Sequence, residues 1–134
     1  MPRSLDDLGL LGHGLDRPEC IAAHASGSIF VPDWSDGGGV MQILPDGRQQ
    51  RITARGTPEP LRPNGIALEP GGSFLIAHLG DRTGGIWRLA ASGIAEPVLV
   101  ALEEAPLPPS NFVMRDAAGR LYLTVSTRRS PRDL

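Results

Sequence analysis

The segment RPNGIALEPGGSFLIAHL, Arg62–Leu79, decides the fold because the chain repeats its pattern on both sides. An earlier copy, RPECIAAHASGSIFVPDW, spans Arg17–Trp34, and a later copy, PSNFVMRDAAGRLYLTVS, spans Pro109–Ser126. Each copy contains a proline, an oxygen-bearing side chain, an apolar run, a glycine turn and a second apolar run. The oxygen-bearing residues, spaced by 45 and 47 positions, are Glu19, Asn64 and Asn111. A fixed period in this range indicates a repeat architecture.

The repeated elements are predicted to be β-strands. The second apolar runs are short, rich in β-branched and aromatic residues, and bounded by turn residues. The 17 glycines and 13 prolines would interrupt helices of ordinary length. Two more apolar runs follow in each of the first two units, which gives four strands per unit, as in a propeller blade. The predicted strands are Ser28–Val31, Val40–Leu44, Gln50–Thr53, Ser73–Ala77, Ile86–Leu89, Pro97–Val100 and Leu121–Val125.

The domain organisation predicted from these units is a leader, residues 1–14, and a partial β-propeller, residues 15–134. Units start near positions 17, 62 and 109, which gives two complete blades and half of a third. Even a four-bladed ring would need about 180 residues. We therefore favour a fragment of a larger protein over a ring completed by other copies or an open stack of blades. In the leader, Ser4 and Asp7 are predicted to cap a short helical turn.

Composition excludes several classes of partner and site. The formal charge of −2 gives no electrostatic reason to expect binding to nucleic acid or to an acidic membrane. No stretch approaches the ~18 apolar residues of a membrane span, and no signal-peptide core is present. A single cysteine, Cys20, excludes an internal disulfide bond. These features favour a cytoplasmic protein.

The oxygen-bearing residues at the head of each unit are the main candidates for a site. In a propeller the first strand of every blade lines the central channel, so Glu19, Asn64 and Asn111 are predicted to face one axis. Carboxylate and amide oxygens are hard ligands, suited to Ca²⁺, Mg²⁺ or Mn²⁺. The alternative is that these residues enter strands and bond their own backbone as turn residues do.

The remaining candidates are given structural roles. The histidines share no metal-type spacing, and His24 and His78 are interpreted as strand residues. Asp33 is interpreted as a strand-end residue that approaches the channel mouth. The two tryptophans, Trp34 and Trp87, are predicted to pack between blades.

These motifs carry a resemblance to a known family. Three segments resemble the amino-terminal half of the gluconolactonase family, which includes regucalcin (senescence marker protein). They are RPE at the first strand, RPNGIALEPGGSFLIAHL in the second unit and NFVMRDAAGRLYLTVST in the third. The resemblance covers roughly Gly14 to Thr127 and rests on the order and spacing of loose motifs.

The resemblance implies a six-bladed β-propeller with one divalent metal, often calcium, in its channel. Glu19 matches the first-blade ligand and Asn111 the third-blade ligand, while an Asn and an Asp of later blades have no counterpart here. Asn64 is assigned a substrate contact, with metal ligation as the alternative. Zn²⁺, Mn²⁺ and Mg²⁺ are the other cations considered. Pro109 stands where some members carry a substrate-contacting arginine.

The implied activity is metal-dependent hydrolysis of a small-molecule lactone or sugar-acid derivative. A cation polarises the carbonyl and activates water, and a carboxylate takes the proton. The resemblance assigns that base to the late-blade Asp, so this chain alone is expected to be inactive and its catalytic residue is unknown. The alternative function is a non-catalytic propeller-type binding module or an inactive truncated remnant. If the chain is natural, an oligomer that completes the ring is one of the alternatives.

Overall fold

The chain is a partial β-propeller in a computed structural model that describes residues 4–125. Two antiparallel four-stranded sheets form the first two blades, each with its strands in chain order, and a two-stranded sheet forms the first half of a third. The first blade contains β1 (Ala22–Ala23), β2 (Ile29–Asp33), β3 (Gly39–Ile43) and β4 (Gln49–Thr53). The second contains β5 (Pro63–Leu68), β6 (Phe74–His78), β7 (Ile86–Leu89) and β8 (Ala95–Leu99). A hairpin of β9 (Ala101–Leu102) and β10 (Ala105–Pro106) precedes β11 (Ser110–Arg115) and β12 (Leu121–Val125).

The all-β prediction is confirmed, and so is the count of four strands in each of the first two units. The predicted bounds of β7 and β12 match the observed ones, and the other predicted strands shift by one or two residues. The short β9–β10 hairpin was not predicted. The two residues of its turn, Glu103 and Glu104, both adopt positive φ angles, of 48° and 69°. Glutamate is uncommon in this left-handed region, so its presence gives no turn signal.

The hydrophobic core lies between the blades. Strand β6 is buried on both faces, since alternate side chains of a strand point to opposite sides of the sheet. Phe74 and Ile76 face the first blade, where the ring of Phe74 lies 5.1 Å from that of Phe30. Leu75 and Ala77 face the third blade and pack with Val113. Blade-to-blade packing of apolar side chains therefore holds the three units together.

An ion-pair cluster also joins the second and third blades, at the end where β5 leads into β6. Glu69 accepts hydrogen bonds from Arg88 of β7 at 2.6 Å and from Arg115 of β11 at 2.9 Å. The hydrogen bond from Arg88 lowers the pKa of Glu69 to about 2, against the opposing effect of burial. Glu69 is therefore ionised throughout the neutral range and links the two sheets.

The leader packs against the first blade. The predicted cap is confirmed: Ser4 N–H donates to Asp7 Oδ2 at 2.8 Å, and a 3-10 turn spans Leu5–Asp7. His13 N–H donates to Gln49 Oε1 at 2.7 Å, and Leu15, the first residue after the leader, covers the outer apolar face of the sheet. The boundary at residue 14 stays a prediction, and residues 1–3 and 126–134 of the predicted domains lie outside the described residues.

The helical segments of residues 4–125 are three-residue turns, and none is long and apolar enough to cross a membrane. The interpretation of His78 as a strand residue is confirmed, since it ends β6. The same interpretation of His24 was wrong: it follows β1 in an exposed turn, where its Nδ1 accepts the Ser26 N–H at 3.2 Å. Asp33 ends β2, as predicted.

Candidate functional site

The two asparagines of the chain, separated by 47 positions, are in direct contact. Asn64 lies near the start of β5 and Asn111 near the start of β11, so both occupy the first strand of a blade. Asn64 Nδ2 donates to the Asn111 backbone oxygen at 2.9 Å and to Asn111 Oδ1 at 3.2 Å. We call this the amide pair, and the end of the blades that carries it the amide end. Asn64 enters a strand, as the alternative interpretation predicted, but its side chain bonds Asn111 of the next blade and not its own backbone.

Asn64 has one polar atom without a partner. The residue is 7 % exposed, and its Oδ1 is buried without a hydrogen bond. The two acceptors on Asn111 fix which side of the amide is Nδ2, so Oδ1 is the atom that stays unpaired. A buried carbonyl oxygen without a donor is unfavourable by about 1–3 kcal/mol. Such an atom marks a place where a ligand, a cation or a water molecule would improve the energy.

Gly65 explains why the two strands come this close. A Cβ atom on Gly65 would lie 2.6 Å from Phe112 Cα, which no side chain tolerates. The glycine that follows Asn64 therefore lets β5 approach the start of β11 and places the amide pair at hydrogen-bond distance. The sequence Asn64-Gly65 carries this signal, although only the structure identifies the strand that approaches.

Glu19 lies in the segment that precedes β1 and is not part of the amide pair. Its carboxylate, 40 % exposed, accepts hydrogen bonds from the guanidinium of Arg17, one of them at 2.8 Å. Within residues 4–125, Glu19 makes no hydrogen bond to either asparagine. The structure thus joins two of the three predicted residues, and the convergence of Glu19 on the same axis stays a prediction.

A line of contacts nevertheless connects Glu19 to the amide end. The Arg17 guanidinium lies 4.6 Å from the centre of the Trp34 ring, and Arg62 lies 5.3 Å from it. Trp34 Nε1 donates to the backbone oxygen of Pro63 at 2.7 Å, next to Asn64. Trp34 therefore bridges the first two blades, which confirms the prediction of inter-blade packing for this residue.

A second polar cluster at the amide end was not foreseen as a site. His78 Nδ1 accepts the backbone N–H of Arg62 at 3.1 Å. Its Nε2 lies 3.2 Å from Thr83 Oγ1 and 3.4 Å from Glu59 Oε1, and Thr83 also donates to Glu59. Burial lowers the pKa of His78 below its ordinary value, while the hydrogen bond from Thr83 lowers that of Glu59. Neutral histidine therefore faces an ionised carboxylate at neutral pH.

The donor atoms at the amide end have the chemistry of a hard-cation site. Asn64 Oδ1 is unpaired, Asn111 Oδ1 accepts one long hydrogen bond, and the Glu19 carboxylate is held by an exposed ion pair. Exposed ion pairs contribute only about 0–1 kcal/mol, so a cation would displace Arg17 at little cost. Among residues 4–125, no group of three or more His, Cys, Asp or Glu side chains is arranged to hold a metal. The fit therefore rests on amide oxygens and one carboxylate.

No protein-family profile and no curated protein sequence matches the chain. Among solved structures, it is similar to a catalytically inactive virginiamycin B lyase from Staphylococcus aureus in complex with quinupristin, with a TM-score of 0.58 and 17 % identity. It is also similar to a streptogramin B lyase, with a TM-score of 0.58 and 20 % identity. A protein provisionally described as a gluconolactonase has a TM-score of 0.49 and 22 % identity. The matches cover 78 %, 78 % and 77 % of this chain. They cover 33 %, 33 % and 39 % of those proteins, so the chain spans about a third of their length.

Proposed function

We propose that the chain forms part of a metal-dependent lactone hydrolase of the gluconolactonase type. The observation that carries this proposal is the amide pair, which brings Asn64 and Asn111 together and leaves a buried carbonyl oxygen unpaired. Asn111 and Glu19 would hold a divalent cation, with Ca²⁺ the first candidate. When bound, such a cation would polarise the lactone carbonyl and lower the pKa of water.

The residues of this chain have separable roles in the proposal. Asn64 Nδ2 fixes the orientation of Asn111 by donating to both of its oxygens. Asn64 Oδ1 accepts a hydrogen bond from a hydroxyl group of the substrate, or serves as a further ligand. The substrate class is a small lactone or sugar-acid derivative. The general base remains unassigned, since the resemblance places it in a later blade.

The second candidate function is a non-catalytic binding module or inactive remnant with the same fold. The pairing of Glu19 with Arg17 favours it to the small extent that an exposed ion pair contributes, since the carboxylate already has a cationic partner without a metal. The two candidates differ in whether a divalent cation finds the amide pair.

The proposal is tested by titrating paramagnetic Mn²⁺ into the full chain. The side-chain amide groups are followed by NMR during the titration. The chain has two asparagines and three glutamines, and the glutamines serve as internal references. We expect Mn²⁺ to broaden the Asn64 and Asn111 signals first and Ca²⁺ to reverse the effect. Glu19→Gln should weaken the broadening, whereas Glu96→Gln, an exposed change on β8, should not.

Equal broadening of all five amide groups would contradict cation binding at this site. In that case the binding-module candidate is favoured. A parallel assay of lactone hydrolysis with Ca²⁺, Mn²⁺ or Zn²⁺ is expected to show no turnover by this chain alone. Turnover typical of an intact enzyme would show that the chain holds its own base.

A further inference from the structure

The turn formed by Arg17, Pro18 and Glu19 holds a guanidinium group against the carboxylate that is the candidate cation ligand. Arg17 Nε donates to Glu19 Oε1 at 2.8 Å, and Arg17 Nη2 donates to the same oxygen. The Glu19 N–H donates to the Arg17 backbone oxygen at 2.9 Å, which closes the turn. Arg17 has a positive φ angle of 53°, which is uncommon for a residue other than glycine. Because strained backbone is concentrated at functional sites, this angle points to a functional role for the turn.

Trp34 holds the Arg17 guanidinium independently of Glu19. The guanidinium carbon of Arg17 lies 4.6 Å from the centre of the Trp34 ring, and that of Arg62 lies 5.3 Å from the same centre. The ring is itself fixed, since its Nε1 donates to the Pro63 oxygen at 2.7 Å. The cation–π contact therefore keeps Arg17 in position when its carboxylate partner is withdrawn. The Arg17 side chain is 38 % exposed, so a ligand can reach it.

Arg17 is thus a positioned anion receptor whose present partner, Glu19, is a candidate ligand of a cation. A planar guanidinium group donates two parallel hydrogen bonds to a carboxylate. We propose that a divalent cation bound at Glu19 releases Arg17, which then binds the carboxylate group of a sugar acid. This inference rests on the proposed function and selects the anionic members of its substrate class.

The charges around Trp34 favour the binding of cation and anion together. Each of the two arginines at the ring is paired with one carboxylate, so the four side chains carry no net charge. The pairs are Arg17 with Glu19 and Arg62 with Asp81. A divalent cation makes this group positive, which attracts an anion. Each ligand then raises the affinity for the other by the same factor, and we expect a factor of about five because the Arg17–Glu19 pair is exposed.

Glucuronate is a probe with the required carboxylate, and glucuronamide is its match without the charge. Each is titrated into ¹⁵N-labelled full chain, with and without saturating Ca²⁺, while the indole N–H signal of Trp34 is followed. Trp34→Phe assigns that signal, and Trp87 serves as the internal reference. We expect Ca²⁺ to lower the dissociation constant of glucuronate about fivefold and to leave that of glucuronamide unchanged.

Glu19→Gln tests the anion receptor without any cation. The neutral amide no longer holds the guanidinium by charge, so this variant should bind glucuronate about fivefold more tightly than the wild-type chain does, with or without Ca²⁺. Asp46→Asn is the matched control, because Asp46 and Arg48 form a similar exposed pair two positions apart. Within residues 4–125, Arg48 is stacked on no aromatic ring, so its release should not tighten the binding of glucuronate.

Failure of the proposed function and failure of this inference give different results. If the chain has no cation site, Mn²⁺ leaves the asparagine signals unchanged, whereas Glu19→Gln still binds glucuronate more tightly than the wild-type chain does. The inference is overturned if Glu19→Gln gains no affinity for glucuronate or binds glucuronamide equally well. It is also overturned if Ca²⁺ tightens the binding of glucuronate to Arg17→Gln as much as to the wild-type chain, because the cation would then act without Arg17.

Discussion

Asp33 and His78 occupy the same place in consecutive blades, as the last residue of the second strand. Both are buried, with 0 % and 2 % of their surface exposed. Each accepts a backbone N–H from the segment that leads into the first strand of its blade. Asp16 N–H donates to Asp33 Oδ1 at 3.0 Å, and Arg62 N–H donates to His78 Nδ1 at 3.1 Å. The repeat thus places a buried acceptor here in both blades.

The charge of that acceptor is set by its neighbours. Burial alone would raise the pKa of Asp33, but hydrogen bonds from Ser35 and Asp16 and the charge of Arg51 lower it. Arg51, on β4, lies 2.7 Å from Asp33 Oδ2. The His78 ring instead faces Thr83 and Glu59, and burial, which lowers its pKa, keeps it neutral. The comparison shows that both blades keep the same hydrogen bond to the backbone, while the surrounding side chains determine whether the acceptor is ionised or neutral.

The largest expected effect on the free energy of unfolding comes from removing Asp33, the ionised acceptor. Asp33→Ala leaves Arg51 without its buried partner and three donor groups of Asp16 and Ser35 without an acceptor. Breaking a buried ion pair in this way destabilises by about 3–5 kcal/mol. We expect a destabilisation near the lower end of this range, because Arg51 is partly exposed. Urea unfolding of the full chain measures the change.

The control for this variant is Asp36→Asn, which removes the charge and keeps a residue type that tolerates the positive φ angle of 52° at this position. Asp36 also faces Arg51, at 3.8 Å, but it is exposed, so its loss should change the free energy of unfolding by about 0.5 kcal/mol or less. If the two variants were destabilised equally, burial of Asp33 would not be the source of its contribution.

Removing His78, the neutral acceptor, should lower the free energy of unfolding by less. His78→Ala leaves one backbone N–H, that of Arg62, without its acceptor and removes a ring contact with Trp87. An unpaired buried donor costs about 1–3 kcal/mol, so we expect a loss of about 2 kcal/mol. His78→Gln, which can still accept that N–H, should recover part of it. His24→Ala, in an exposed turn, is the matched control, and a loss as large as that of His78→Ala would contradict the argument.

The fold itself was predictable from the sequence because strand formation depends on local patterns. Alternating apolar residues, glycine turns and a recurring proline predicted two four-stranded units and half of a third, with β7 and β12 placed correctly. The capping of the leader by Ser4 and Asp7 was also local, and the structure confirms it. Each of these features requires information from only a few neighbouring residues.

The contacts between units were harder to predict. Spacing identified Asn64 and Asn111, but their hydrogen bond depends on the close approach of two strands at Gly65. The pairing of Glu19 with Arg17 was missed, although the two residues are only two positions apart. The cluster around Glu59 and His78 unites a connection, a strand end and a loop, and no sequence pattern links the three.

The smallest expected effect concerns pH and separates the two buried acceptors. The folded pKa of His78 lies below its ordinary value of 6.5, so at pH values below 6.5 the unfolded chain binds more protons at this residue than the folded one. Burial and Arg62 lower the pKa, and they outweigh Glu59 and Asp81, which raise it. The free energy of unfolding should therefore fall as the pH drops through 6.5, by no more than about 1.4 kcal/mol per pH unit.

Asp33 contributes in a lower pH range, since its contribution is lost only as the pH falls below the ordinary pKa of 3.8 and through the folded pKa. Urea unfolding between about pH 8 and 5 should show that His78→Gln flattens the curve and Asp36→Asn does not. Parallel curves for the wild-type chain and His78→Gln would mean that His78 has the same pKa in the folded and unfolded states, which would contradict the argument that burial keeps its ring neutral.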